Sequence, residues 1–200
     1  MAEYDRKDHL YEKAKAEGYR SRAAYKLIEL DKKYNLLFSG AAVLDLGCWP
    51  GGWLQVAAGR VGSTGLVVGI DLAETEAIEA KTPVHLLVGD ARDESSLESM
   101  RTLAPEGYSV VLSDMSPKLT GIKEADQAGI VGCAELAFWL AQQVLRPGGH
   151  LVMKFFKGNE AETFIRSLRP HFERVARSEL DATRKTSNEF YAICLGYRAE

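Results

Sequence analysis

A chain of 200 residues accommodates one domain of ordinary size, and a hydrophobic content of 46% is enough to bury a core. Charged residues make up 26% and the net charge is −3, which excludes a disordered, collagen-like or coiled-coil chain and gives no bulk signal for nucleic acid. In chain order, residues 9–34 have a helical pattern that Gly18 interrupts, with Ser21 placed to cap the second helix. Short apolar runs at 41–47, 65–71, 83–90 and 108–114 read as buried strands, each ending at an aspartate or a glycine turn. Helical segments at 53–61, 95–103 and 123–146 alternate with them, the last ending at the breaker Arg146-Pro147-Gly148-Gly149. A fifth strand at 150–156, a helix at 160–169 and two closing strands at 172–180 and 189–197 complete the chain.

Strands alternating with helices predict an α/β fold with a mainly parallel sheet between helical layers. The last two strands have no helix between them, so an antiparallel pair is expected at one edge. Ligands of such sheets bind at the carboxyl ends of the strands. Asp45, Asp71, Asp90 and Asp114 all fall there, and Lys154 lies near the end of the fifth strand.

Other classes are set aside by pattern. Cys48, Cys133 and Cys194 are odd in number and never in a Cys-x-x-Cys pair, so neither a disulfide framework nor a zinc site is expected. The four histidines show no ligand spacing, and no metal is expected. The N-terminus lacks the apolar core of a secretory signal. The greasiest stretch, 128–145, is broken by Glu135, Gln142 and Gln143 and is shorter than the ~20 residues of a membrane span, so a soluble cytoplasmic protein is expected. Charge is uneven: residues 4–26 carry seven basic against four acidic groups, 146–185 nine against five, and 71–145 five against thirteen. Such asymmetry can give an acidic molecule one basic face.

The loop Asp45-Leu46-Gly47-Cys48-Trp49-Pro50-Gly51-Gly52-Trp53 matches neither Gly-x-Gly-x-x-Gly nor a P-loop, and it has no basic residue to meet a pyrophosphate. Its glycines, Gly47 and Gly51 among them, let the backbone approach a ligand closely. Asp71, twenty positions after Gly51, ends the second strand where a carboxylate can accept both hydroxyls of a ribose. That feature specifies adenosine and is shared by nicotinamide and S-adenosylmethionine enzymes. Asp90 ends the third strand, where an acid of the second class reaches the adenine amino group.

The motifs SRAAYKL, DLGxxPGGW, SDMSP, VMKFF and SNEFY, in this order, resemble the FtsJ/RrmJ family of RNA ribose 2′-O-methyltransferases. The resemblance runs from about Tyr19 to Tyr197 and implies a Rossmann-like fold using S-adenosyl-L-methionine. One domain over 1–200 is then expected, with 1–35 as a basic, RNA-facing helical segment and 36–200 as the cofactor-binding catalytic core. The family's Lys-Asp-Lys-Glu set falls on Lys26, Asp114, Lys154 and Glu189, and cofactor contacts are implied at Gly51, Trp53, Asp71, Asp90 and Asp114. Cys48-Trp49 departs from the small residues more usual there, which puts a narrower methionine end in prospect.

A ribose hydroxyl is a weak acid and a poor nucleophile, so it must be aligned with the methyl and lose its proton as the bond forms. Lys154, alone in an apolar strand, is the candidate base; equally, it can stay charged and steer the hydroxyl. Lys26 and Glu189 rest on the resemblance alone. The basic segments leading to Lys26 and Glu189, which include Arg6, Lys7, Arg20, Arg22, Arg184 and Lys185, are placed to meet RNA phosphates, with Tyr4, Tyr11, Tyr19 and Tyr25 interleaved. Arg20, Arg22, Lys26 and Arg184 are the expected RNA contacts. The expected substrate is a uridine of large-subunit ribosomal RNA, with the assembled large subunit as one form of it, and the protein is expected to act as a monomer. A transfer-RNA ribose methyltransferase, a nicotinamide-dependent oxidoreductase and a catalytically inactive RNA-binding protein are the alternatives.

Overall fold

The computed structural model describes residues 9–118, 120–184 and 187–199. The elements are α1 (His9–Ala16), α2 (Ala24–Tyr34), β1 (Ala42–Leu46), α3 (Gly52–Val61), β2 (Leu66–Asp71), β3 (Val84–Val88), α4 (Glu94–Leu103), β4 (Tyr108–Ser113), α5 (Lys123–Val144), β5 (Leu145–Phe156), α6 (Asn159–Leu168), β6 (Phe172–Ser178) and β7 (Glu189–Tyr197). One seven-stranded sheet has the order β3-β2-β1-β4-β5-β7-β6. Strands β1 to β5 pair in parallel, and β7 runs antiparallel to both β5 and β6. The fold class read from the sequence is the one observed.

Period-two alternation assigns each strand residue to a face. Leu44, Leu46, Val68, Ile70, Val111, Leu151 and Met153 pack against α4, α5 and α6. Val43, Val67, Val110, Leu112, Val152 and Ile193 pack on the other face with α2 and α3. Leu27 and Leu30 of α2 are fully buried. Each such side chain contributes about 1.5–3 kcal/mol, enough to pin the helix and the lysine beside them.

Strand order reverses between β1 and β4, which opens a crevice beyond their carboxyl ends. Two expectations need correction. Ser21 does not cap α2: residues 21–23 form a turn in which the Ala24 and Tyr25 amides donate to the Ser21 and Arg22 carbonyls, and the helix starts after it. The Ser21 hydroxyl is used instead in packing, 2.4 Å from where a Cβ on Gly52 would stand. The breaker at 146–149 does not lie outside the sheet either. Leu145 already pairs with Tyr108, and the register jumps to Val110–His150, so β5 absorbs the stretch as a bulge. Among the described residues, no helix is long and apolar enough to cross a membrane.

Candidate active site

The same alternation gathers polar groups at one corner. Leu112 lies on the α2–α3 face, so Asp114 two residues on points there too; Val152 and Lys154 repeat the relation. Strand β7 enters from the opposite direction, so its first residue, Glu189, arrives at the same sheet edge with Tyr191 behind it. Lys154 and Tyr191 are direct cross-strand partners. Lys26 descends on this corner from the first turn of α2.

These four sequence-derived residues form one contiguous cluster. The Lys154 ammonium, 8% exposed, donates to the Asp114 carbonyl at 2.5 Å and lies 3.1 Å from Asp114 Oδ1. Lys26 Nζ is 2.5 Å from Glu189 Oε1 and 3.9 Å from Asp114 Oδ2. The Tyr191 hydroxyl donates to Asp114 Oδ1 at 2.6 Å, and the Thr183 hydroxyl donates to Glu189 at 3.1 Å. Charges this buried persist only when paired, and here two cations face two carboxylates. Burial alone would raise the Asp114 pKa; Lys154, Lys26 and the Tyr191 hydroxyl outweigh it and hold the carboxyl below its ordinary value. Burial, then the Asp114 and Glu189 charges, push Tyr191 well up, so it is a donor only.

Tyr191 and Thr183 were not read from the sequence. Tyr191 had a signal, since it stands two residues after Glu189 and so shares its face. Thr183 had none. Its segment is tied to α2 by Glu29, which accepts from the Asp181 and Ala182 amides, and by Arg22, which donates to the Ala182 carbonyl at 2.5 Å.

Next to the cluster lies a crevice of about 590 Å³ lined by Gly47, Asp71, Asp90, Asp114 and Met115 among others. That volume lies within the range of small-molecule sites. Gly47 has φ +73°, and a Cβ there would lie 2.6 Å from Met115 Cγ. Gly51 has φ +109° and precedes α3, whose N-terminus has no side-chain cap. The first amides of such a helix point outward and favour a carboxylate. Asp71 accepts from the Trp49 and Ala73 amides, each at 2.9 Å, which ties the glycine loop to the end of β2.

Other sequence-derived residues have different duties from those expected. The Trp53 ring is buried; it donates to the Ala23 carbonyl at 2.8 Å and leans on Tyr191 at 6.0 Å, so the side chain supports the cluster and does not line the crevice. Trp49 does not narrow the methionine end: its ring lies at the crevice mouth and is 60% exposed. Arg20 was expected at a phosphate. Its guanidinium instead binds the Pro50, Glu76 and Ala77 carbonyls and braces the glycine loop against the chain after β2. Asp90 lines the crevice, but both its oxygens are held by Arg92, whose hydrogen bonds lower its pKa to about 2. Tyr4, Arg6, Lys7 and Lys185 lie outside the described residues.

A sheet in this order, with a glycine loop between β1 and α3 and acids ending β2 and β3, defines the class of Rossmann-like methyltransferases. The chain belongs to the FtsJ-like methyltransferase family, whose model matches residues 19–197. It is 42% identical over 189 residues to the protein named Ribosomal RNA large subunit methyltransferase E from Halobacterium salinarum, covering 94% of this chain and 73% of that one. It is 43% identical over 199 residues to the protein of the same name from Syntrophobacter fumaroxidans, covering 98% of each. A crystal structure described as a ribosomal RNA methyltransferase from Plasmodium falciparum matches with a TM-score of 0.79 at 27% identity, over 91% of this chain and 100% of that one.

Proposed function

We propose that this methyltransferase uses S-adenosyl-L-methionine to methylate a ribose 2′-hydroxyl of RNA, and that its substrate is a uridine of large-subunit ribosomal RNA. The observation that carries the reading is the pairing of Lys154 with Asp114 and of Lys26 with Glu189, at the edge of a crevice that also holds Asp71. The crevice fits the proposed cofactor: Asp71 meets ribose hydroxyls, the uncapped start of α3 meets a carboxylate, and Gly47 lines the crevice at a position where a Cβ would press on Met115. Asp90 meets the adenine once the exposed Arg92 yields one of its oxygens.

When bound, S-adenosylmethionine supplies a methyl group already activated on a sulfonium, so the residues need only present the acceptor. An ammonium has three N–H donors, and Asp114 takes two of those on Lys154. The third orients the ribose oxygen. Glu189 pairs with Lys26 and Asp114 with Lys154, so each cation has its own carboxylate. Lys154 therefore acts as a charged positioning group. The hydroxyl proton leaves late, to solvent water, when bonding to carbon has made it strongly acidic. At saturating cofactor the single-turnover rate is expected to stay flat between about pH 6.5 and about pH 9, whereas a base with a lysine pKa gives a tenfold rise per unit. A rapid-quench pH series separates the two.

Arg22, Lys26 and Arg184 lie on the face leading to Glu189 and are proposed to hold the RNA backbone, with Arg20 supporting the loop beside them. Phosphate contacts release counterions, so log affinity plotted against log salt is expected to have a slope of about −2 or steeper. A flat response in a filter-binding titration removes the basic-face argument. We propose a monomer acting in the cytoplasm, with 1–35 serving the RNA and 36–200 the chemistry. Mapping ribose methylation on total RNA with the gene present and absent tests the substrate. Transfer to intact large subunits but not to bare transfer RNA is the expected outcome.

A further inference from the structure

Asp45 interrupts the apolar run of β1. It is 2% exposed, and its Oδ2 has no hydrogen-bond partner among the described residues. An isolated buried carboxylate is costly as an anion. Alternation places it on the α2–α3 face with Val43, beneath the glycine loop, between β2 and β4. Its titratable surroundings come from every neighbouring element. Strand β2 brings Asp71, and the chain after β4 brings Asp114. The loop brings Cys48, whose thiol is pushed up to about 12 by burial and then by Asp45. Behind Asp114 stand Lys154 of β5, Lys26 of α2 and Tyr191 of β7, already engaged with Asp114 and Glu189. The first turn of α3 is Gly52-Trp53-Leu54-Gln55 and carries no charge. Arg20 crosses Gly51 with its guanidinium on three carbonyls. Asp45 thus faces two carboxylates with no cation of its own. Burial, then Asp114 and Asp71, push its carboxyl well above the usual range.

We propose that Asp45 is the residue by which this site tells a sulfonium methyl donor from its thioether by-product: it holds a proton while no sulfonium is bound and releases it to solvent when one is. The inference rests on the S-adenosylmethionine reading given above. It deepens that reading by assigning selectivity for the donor to a residue outside the Lys-Asp-Lys-Glu cluster. S-Adenosylhomocysteine carries no sulfonium and leaves Asp45 protonated. Donor affinity then rises by up to about tenfold per pH unit while product affinity stays level, so donor outcompetes product more strongly as pH rises.

Isothermal titration calorimetry near neutral pH in phosphate and in Tris, which differ in ionisation enthalpy, counts the protons released. Wild-type protein is expected to release close to one proton per S-adenosylmethionine and far less per S-adenosylhomocysteine. Asp45→Asn, a neutral near-isostere, is expected to bind both with no difference in proton count. Lys154→Met is expected to keep the wild-type difference. Absence of any S-adenosylmethionine binding refutes the cofactor reading itself. Binding with equal proton counts for donor and product, or a difference that survives Asp45→Asn and vanishes in Lys154→Met, overturns the role of Asp45 alone. Should Asp45→Asn fail to fold by circular dichroism, the donor-against-product contrast in wild type and Lys154→Met still decides.

Discussion

Replacing Lys154 by alanine is expected to lower methyl transfer by about three orders of magnitude while S-adenosylmethionine affinity stays within about twofold. The size follows from what the lysine holds. Its ammonium is fixed by two oxygens of Asp114, leaving one donor aimed at the acceptor, and loss of orientation at a reacting atom costs orders of magnitude in rate. The affinity is spared because the groups proposed to meet adenosine, Asp71 at the end of β2 and Asp90 after β3, lie on other elements. Stability falls moderately. Removing one partner of a buried pair costs about 3–5 kcal/mol when the other is orphaned, but Asp114 keeps the Tyr191 hydroxyl and the Lys26 ammonium. Lys154→Met, which retains the apolar stem, is expected to lose the same activity with a smaller drop in melting temperature. Tritium transfer and a thermal melt on both variants measure the two quantities. Undiminished transfer by Lys154→Ala contradicts the mechanism.

Much of this site was legible before any coordinates, and what was not has physical reasons. Aspartates at the ends of apolar runs could be read because a parallel sheet buries its strands and exposes their carboxyl ends. Lys154 stood out because no neighbour in LVMKFF can solvate it. Lys26 could not be chosen on composition, because it is one lysine in a helix that also carries Lys32 and Lys33; only the docking of α2, through Leu27 and Leu30, selects it. Arg20 was misjudged since its acceptors lie 56 and 57 residues further along the chain, and carbonyls in a loop leave no trace in residue type. The place of the Trp53 side chain was hidden in a related way. The resemblance implies a cofactor contact at Trp53, and α3 turns its indole inward to the Ala23 carbonyl. Asp45 was visible as an acid in a strand, but its lack of a partner is a property of packing.

Asp71→Ala is expected to show the opposite signature to Lys154→Ala: S-adenosylmethionine affinity falls by about a hundredfold or more, while the rate at saturating cofactor changes by only a few-fold. A carboxylate that accepts from two ribose hydroxyls makes two charge-assisted hydrogen bonds, each worth about 1.5–3 kcal/mol. The loss reaches further than the ribose, because the Asp71 oxygens also accept from the Trp49 and Ala73 amides. Without them the glycine loop loses one anchor on β2 and keeps the Gly47 and Cys48 amides on the Ile70 carbonyl together with the Arg20 brace. Asp71→Asn separates the two duties. It retains one acceptor for a loop amide but replaces the other oxygen with a donor, so an intermediate affinity is expected. Quenching of the exposed Trp49 by bound cofactor reports the dissociation constant, and single-turnover transfer reports the rate. The chemical cluster is built from β4, β5, β7 and α2, and none of its measured contacts passes through Asp71. A parallel collapse of rate and affinity in Asp71→Ala would therefore mean that the crevice and the cluster are not the separable devices their geometry describes.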